Sequence, residues 1–330
     1  MPDDAVTAPL AVLGAGAWGT TIAQLLAANG QQVRLWDRQP ARAERTERSR
    51  RSTSGQVQEL DAGIRVSADL ATTLQGAAAA FIAVPSRAYP ALVAALAALH
   101  PPELLVSCAK GFLDADLRRL SQALAPLGSH VAVLSGPNLA DEIVRGLPAA
   151  ATVACGDDDL GARVQRWLNQ STFRVYRSSD IVGVEVSGAL KNVIALAAGM
   201  SDELGLGHNT HAALLTRGLS ELTRLGASLG GDPRTFYGLA GLGDLIATCA
   251  SSGSRNHQVG VRIVRGESIA SIEASGITAE GVHSVRHAVR YARKHDLDLP
   301  ICSEVKAVID HGKPPHAAIS DLMRRAPRRE

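Results

Sequence analysis

The chain of 330 residues reads as an α/β protein: a doubly wound, mostly parallel sheet, followed by an all-helical C-terminal domain. Two observations carry that expectation. In the first half, short apolar runs alternate with stretches of helical spacing, as in successive β-α units with helices on both faces of a parallel sheet. After about Asp180 the strand signals stop and long helix-compatible segments take over.

In order, the expected strands are Leu10–Leu13, Val33–Trp36, Ile64–Val66, Ala78–Val84, Leu104–Cys108, Val131–Leu134 and Ala149–Ala154, with Phe173–Tyr176 as a final one. Thr20–Ala28, Leu92–Leu99, Leu117–Leu124 and Leu160–Leu168 have helical spacing between them. The second half predicts helices over Val182–Met200, His211–Leu229, His257–Arg265 and Gly281–His295, separated by Gly- and Pro-containing loops. The domains are therefore drawn as 1–180 and 181–330. The Arg-rich stretch from Arg42 to Arg51 reads most simply as a solvated helix face, and Arg324–Glu330 as a frayed tail.

Between the first strand and first helix stands Gly14-Ala15-Gly16-Ala17-Trp18-Gly19. Strand, G-x-G-x-x-G, helix is the Rossmann-type order for binding a dinucleotide pyrophosphate. The first glycine allows the tight turn, the second lets backbone approach phosphate, and the third lets helix pack on strand. The helix N-terminus adds free N–H groups and a positive dipole end. Further strand ends are polar or glycine-containing: Asp37, Pro85-Ser86, Lys110-Gly111 and Ser135-Gly136-Pro137-Asn138. Ligands of such sheets bind at those ends. Asp37 lies 23 residues after Gly14, where a carboxylate accepts from ribose hydroxyls and favours NAD. Arg38 follows at once and favours the 2′-phosphate of NADP, so the choice between NAD and NADP stays open.

Composition narrows the class. Nearly half the residues are apolar and the net charge is +2, so no global basic field recommends a nucleic-acid partner. Four widely spaced cysteines form no C-x-x-C pair, which argues against a disulfide framework or zinc site and for a reducing cytoplasm. His208, His211 and His257 lack metal-ligand spacing, so no metal is expected. The purest apolar run, Ala91 to Leu99, is short of the roughly 20 residues that span a bilayer, and the acidic N-terminus lacks a secretory n-region.

Basic residues are nearly all arginine; lysine occurs only at 110, 191, 294, 306 and 313. Lys191 sits in Val186-Ser187-Gly188-Ala189-Leu190-Lys191-Asn192-Val193-Ile194-Ala195-Leu196. Desolvation there would lower its pKa and fit it for general acid/base work, which an always-protonated arginine cannot do. The plainer reading is a stem that snorkels to water. Lys110 holds a substrate anion, or depresses the pKa of Lys191 through like-charge repulsion, or is an ordinary exposed loop lysine. Gly238 to Gly243 reads as a flexible turn ending in Asp244, which orients Lys191 or caps a short helix at Leu245–Thr248. Ser254, Arg255 and Asn256 precede a helix as a phosphate cradle, with serine capping as the alternative.

These blocks together resemble the bacterial NAD(P)-dependent glycerol-3-phosphate dehydrogenase family over nearly the whole chain. They are GAGAWGT (14–20), CAKG (108–111), SGPN (135–138), VEVSGALKNVIALAAGM (184–200), LLTRGLSE (214–221), GLAGLGDL (238–245), SRN (254–256) and TAEGV (278–282). The resemblance implies interconversion of sn-glycerol 3-phosphate and dihydroxyacetone phosphate with NAD(P), feeding phospholipid synthesis. It puts Lys191 on the proton acceptor. Lys110, Gly136, Asn138, Lys191, Asn192, Asp244, Ser254, Arg255 and Asn256 fall on or beside substrate-contacting positions. Gly14, Gly16, Ala17, Trp18, Gly19, Arg38, Lys110, Ala140, Arg255, Thr278 and Glu280 fall on the cofactor side. Three residues depart from the family: Ala17 for a usual serine, Asn138 for serine or threonine, and His211 for a common arginine. A homodimer is one assembly open to the chain; sequence does not determine it.

Two other readings stay in competition. One is a dehydrogenase of the same architecture acting on a hydroxy acid, which needs no Ser254-Arg255-Asn256 cradle. The other is a nucleotide-binding sensor without turnover, against which the Lys191–Asp244 pair speaks.

Overall fold

All eight expected strands form: β1 (Leu10–Leu13), β2 (Val33–Trp36), β3 (Ile64–Ser67), β4 (Ala79–Ile82), β5 (Leu104–Ser107), β6 (His130–Ser135), β7 (Ala149–Cys155) and β8 (Phe173–Ser178). This computed structural model describes residues 8–52, 57, 59–277 and 280–326. The strands make one sheet in the order β3-β2-β1-β4-β5-β6-β7-β8. Neighbours are parallel except β6 and β7, which run antiparallel. β1, β4 and β5 are buried at every residue, as central parallel strands covered on both faces require. The winding direction reverses between β1 and β4, which is the switch point where such sheets take ligands.

Among the described residues, seven α-helices belong to this sheet: α1 (Ala17–Ala28), α2 (Pro40–Ser49), α3 (Leu70–Leu74), α4 (Tyr89–Ala97), α5 (Leu120–Leu124), α6 (Ala140–Val144) and α7 (Asp158–Leu168). Eight more follow: α8 (Ile181–Glu203), α9 (Gly207–Ser228), α10 (Asp244–Ala250), α11 (Arg255–Val264), α12 (Ile269–Ala274), α13 (Glu280–Lys294), α14 (Pro300–His311) and α15 (Pro315–Met323). By packing, the chain divides into Met1–Ala109 with Leu120–Ile181, and Lys110–Arg119 with Val182–Glu330. The segment Lys110–Arg119 goes with the helices for an apolar reason. It closes on itself through a Phe112–Arg119 bridge, and Phe112 and Leu117 are buried in the helical core.

That excursion corrects one expectation. Helical spacing from Leu117 to Leu124 begins as a helix only at Leu120, because Leu117 has φ +58° and turns the chain back. Helices α14 and α15, not expected from periodicity, each start at a proline in the first turn, where its missing N–H costs nothing. The longest apolar element is α8 rather than the run from Ala91 to Leu99. α8 is long and apolar enough to cross a membrane by length and composition, but 83% of its most apolar window is buried within the protein. It is the core helix of the second unit, buried continuously from Gly183 to Leu196.

The arginine run is only partly a solvated face. Arg42 pairs with Asp37, while Arg50 bonds Glu47 and donates to the carbonyls of Asp61 and Ile64. Arg48 and Glu44 alone form the expected exposed i, i+4 pair. Of the tail, residues 327–330 lie outside the described residues.

Candidate active site

In the sheet unit the first and third glycines of the motif stand where neighbouring backbone leaves no room for a side chain. Gly14 has φ +114°, and a Cβ there would lie 2.9 Å from the Ala83 carbonyl oxygen. A Cβ on Gly19 would lie 1.8 Å from the Gly14 carbonyl oxygen, so only glycine lets α1 start this close to β1. Gly16 is the N-cap of α1. It offers no side-chain cap, no acidic residue follows in the first turn, and nothing lies within 4 Å of its missing Cβ. Open space above an uncapped helix N-terminus fits a pyrophosphate. Ala17 and Trp18 open the helix, and the Trp18 indole donates to the Cys108 carbonyl at 3.2 Å, fastening α1 to the end of β5. Arg38 is exposed beyond β2, and Ala140 begins α6. Thr278 lies outside the described residues, and Glu280 is the first residue of α13.

At the end of β6, Gly136 has φ +149° and faces the Ala150 carbonyl at 2.9 Å from its missing Cβ. Asn138 donates to that same carbonyl at 3.3 Å, while its Oδ1 is buried without a hydrogen-bond partner. A buried acceptor in need of a donor is the feature a hydroxyl-bearing ligand would satisfy.

The second unit holds the titratable cluster. Lys191, on α8, is 6% exposed, so its head does not snorkel to bulk water. Its ammonium donates to Asp244 Oδ1 and to Thr248 Oγ1. The other Asp244 oxygen accepts from Lys110 Nζ at 2.6 Å, so one buried carboxylate bridges two lysines. Burial pushes the Lys191 ammonium down to about 8; Asp244 pulls it up and Lys110 pulls it down. The Ser187 hydroxyl, one turn earlier, is turned back to the Gly183 carbonyl at 2.6 Å and belongs to the helix.

Asp244 does not sit after a flexible turn, nor does its carboxylate cap a helix. Leu239–Gly243 is a π-helical turn running directly into α10, and a Cβ on Gly241 would lie 2.0 Å from the Phe236 carbonyl oxygen. The N-cap of α10 is Gly243 without a side-chain bond, and Asp244 is the first helical residue, aimed at the lysines. Thr248 is the member that sequence reading overlooked. Its position one turn after Asp244 puts both on one face of α10, which is the signal that could have found it.

Around this cluster, Asn256 donates to Asn192 Oδ1 at 3.0 Å and accepts from the Gly281 N–H at 3.0 Å, tying α8, α11 and α13 together. Ser254 is the N-cap of α11 and accepts from the His257 N–H, so the capping reading of this serine holds. Arg255 is exposed at the first position of α11 and pairs with no described residue. His211 shares Asp202 with His257, at 3.1 and 2.8 Å. Among the described residues no group of three or more His, Cys, Asp or Glu is placed to hold a metal ion.

The close seating of α11 on α8 depends on Gly199, whose Cβ would lie 2.0 Å from the His257 carbonyl oxygen. Gly199→Ala is therefore expected to destabilise the protein by about 1–3 kcal/mol, as overpacking does. Urea denaturation checks this; an unchanged midpoint would mean the two helices separate at no cost.

Residues 9–161 match the profile described as the N-terminus of NAD-dependent glycerol-3-phosphate dehydrogenase, and residues 180–320 match its C-terminus. The chain belongs to that family. Among curated relatives, glycerol-3-phosphate dehydrogenase [NAD(P)+] of Thermus thermophilus is 45% identical over 326 residues, 97% of this chain and 99% of the relative. The protein of that name from Streptomyces griseus is 43% identical, covering 97% of each chain. The crystal structure of glycerol-3-phosphate dehydrogenase from Coxiella burnetii superposes with a TM-score of 0.92 at 33% identity, covering 97% of this chain and 100% of that one. Family membership makes the protein an oxidoreductase that works with NAD(P).

Proposed function

We propose that the protein interconverts sn-glycerol 3-phosphate and dihydroxyacetone phosphate, with Lys191 as the general acid/base. The observation that carries this reading is the buried ammonium of Lys191 held by Asp244 and Thr248. An ammonium has three N–H donors. Two are engaged by Asp244 and Thr248, and the third is left to meet a carbonyl oxygen. A pKa lowered to about 8 lets the same group give up its proton near neutral pH and take it back.

The Gly14–Gly19 turn would hold the pyrophosphate of the reduced cofactor, which would supply the hydride for the ketone carbon. Protonated Lys191 hydrogen-bonds the ketone oxygen, stabilises negative charge as it develops there, and delivers the proton that completes the alcohol. In the opposite direction neutral Lys191 removes the hydroxyl proton. Asp244 keeps the ammonium aimed and partly compensates its burial. Asn192, held by Asn256, presents a polar edge to a substrate hydroxyl. Exposed Arg255 at the start of α11 grips the substrate phosphate, so that binding energy far from the reacting carbon orients it.

The product glycerol 3-phosphate would serve phospholipid synthesis. A cytoplasmic setting fits the four cysteines, all buried and none in a disulfide. Purified protein with NADH or NADPH is expected to reduce dihydroxyacetone phosphate and not a 2-oxo acid; the reverse preference overturns the reading. Arg255→Ala is expected to raise KM for the phosphate ester about tenfold or more, the worth of a hydrogen bond to a charged group, with a smaller effect on kcat. An unchanged KM would remove Arg255 from the phosphate site.

A further inference from the structure

We infer that this chain selects the 2′-phosphorylated cofactor, because Arg42 occupies the carboxylate that would otherwise hold the free ribose hydroxyls. The inference rests on the cofactor site proposed above. Asp37, at the end of β2, is 1% exposed. Its Oδ1 accepts from Arg42 Nη2 at 2.7 Å and from the Gln39 N–H at 3.0 Å, and its Oδ2 accepts from Arg42 Nε. A carboxylate offers about four lone-pair sites, and three are taken here by a bidentate fork and a backbone donor. For Asp37 to reach a ribose diol, that fork must open. The alternative leaves Asp37 silent.

The fork also removes the reason a 2′-phosphate would be refused. An unpaired carboxylate beside the ribose repels a phosphate and so discriminates for the unphosphorylated cofactor. With its charge offset by Arg42, Asp37 carries little of that repulsion. Arg38, the next residue, is exposed and bonds to no described residue, so its planar guanidinium is available for two phosphate oxygens. The remaining acids of α2 are also engaged: Glu44 lies beside Arg48, and Glu47 pairs with Arg50. The opposed signals of Asp37 and Arg38 are thus resolved by a third residue, five positions along.

Equilibrium binding of NADPH and NADH, read by nicotinamide fluorescence without substrate, tests this independently of turnover. The wild-type protein is expected to bind NADPH at least about tenfold more tightly, the size of one hydrogen bond to a charged group. Arg38→Ala should weaken NADPH about tenfold or more and leave NADH within about twofold. Arg42→Gln should free Asp37 and move the ratio towards NADH. If Arg42→Gln does not fold, wild type and Arg38→Ala decide alone. Tighter binding of NADH by wild type, or equal weakening of both cofactors by Arg38→Ala, overturns the inference. Failure to bind either cofactor would instead sink the cofactor site itself.

Discussion

Lys191→Ala is expected to lower kcat at least about a hundredfold, the lower end of what general acid/base help contributes. NADPH and NADH should bind as before, since the glycine turn of α1 is untouched. The pH profile of the wild type gives the companion result. Reduction of dihydroxyacetone phosphate needs the protonated amine, so kcat should fall as pH rises through about 8. Oxidation of glycerol 3-phosphate needs the neutral amine, so its kcat should climb over the same range. A variant with near-normal kcat, or profiles without opposite slopes, would remove the assigned role. Lys191→Arg should be no better than alanine, because a guanidinium does not release its proton in this range.

The second large effect is expected from Asp244→Asn, which keeps the shape of the side chain and removes its charge. Lys110 and Lys191 would then face one another without their shared counter-ion. Breaking a buried pair in this way costs about 3–5 kcal/mol, part of which the protein recovers if Lys191 releases its proton. The high-pH limb of the reductive profile should therefore move down by about 1–3 pH units, the range for loss of one close opposite charge. Thermal denaturation should show a lower midpoint, with the deficit smaller at high pH where Lys191 is already neutral. A limb that stays near pH 8 would mean Asp244 does not set the charge on Lys191.

Much of this was legible from residue order alone. The strands could be placed because each is a short apolar run bounded by glycine, proline or charge, and the burial of β1, β4 and β5 is what such runs demand. Gly14, Gly16 and Gly19 could be assigned separate tasks because strand, turn and helix follow one another within a few residues, although only the Gly19 contact with the Gly14 carbonyl is local and the carbonyl that a Cβ on Gly14 would meet belongs to Ala83. Lys191 was conspicuous as a scarce lysine in an apolar helix, and α8 buries it as that composition implies. Legibility failed where contacts are made across the sequence or through a rotamer. Leu117 looks helical, yet it caps a reversal whose apolar residues join the distant helical core. The segment before Asp244 has the glycines of a loose turn, yet Gly241 is there to let backbone approach Phe236.

Local composition and spacing thus dictated an α/β sheet with a nucleotide-ready turn, a helical half, and a lysine that must either be shielded or react. Those properties arise from steric and solvation demands confined to neighbours along the chain. Three matters were left to tertiary contact: that a single carboxylate would bridge Lys110 and Lys191, that Thr248 would join them, and that Arg42 would close over Asp37. Each depends on which partners the packed chain brings within a few ångströms of a charge, and in a low-dielectric setting that choice bears on proton affinity and, in the reading proposed above, on ligand preference.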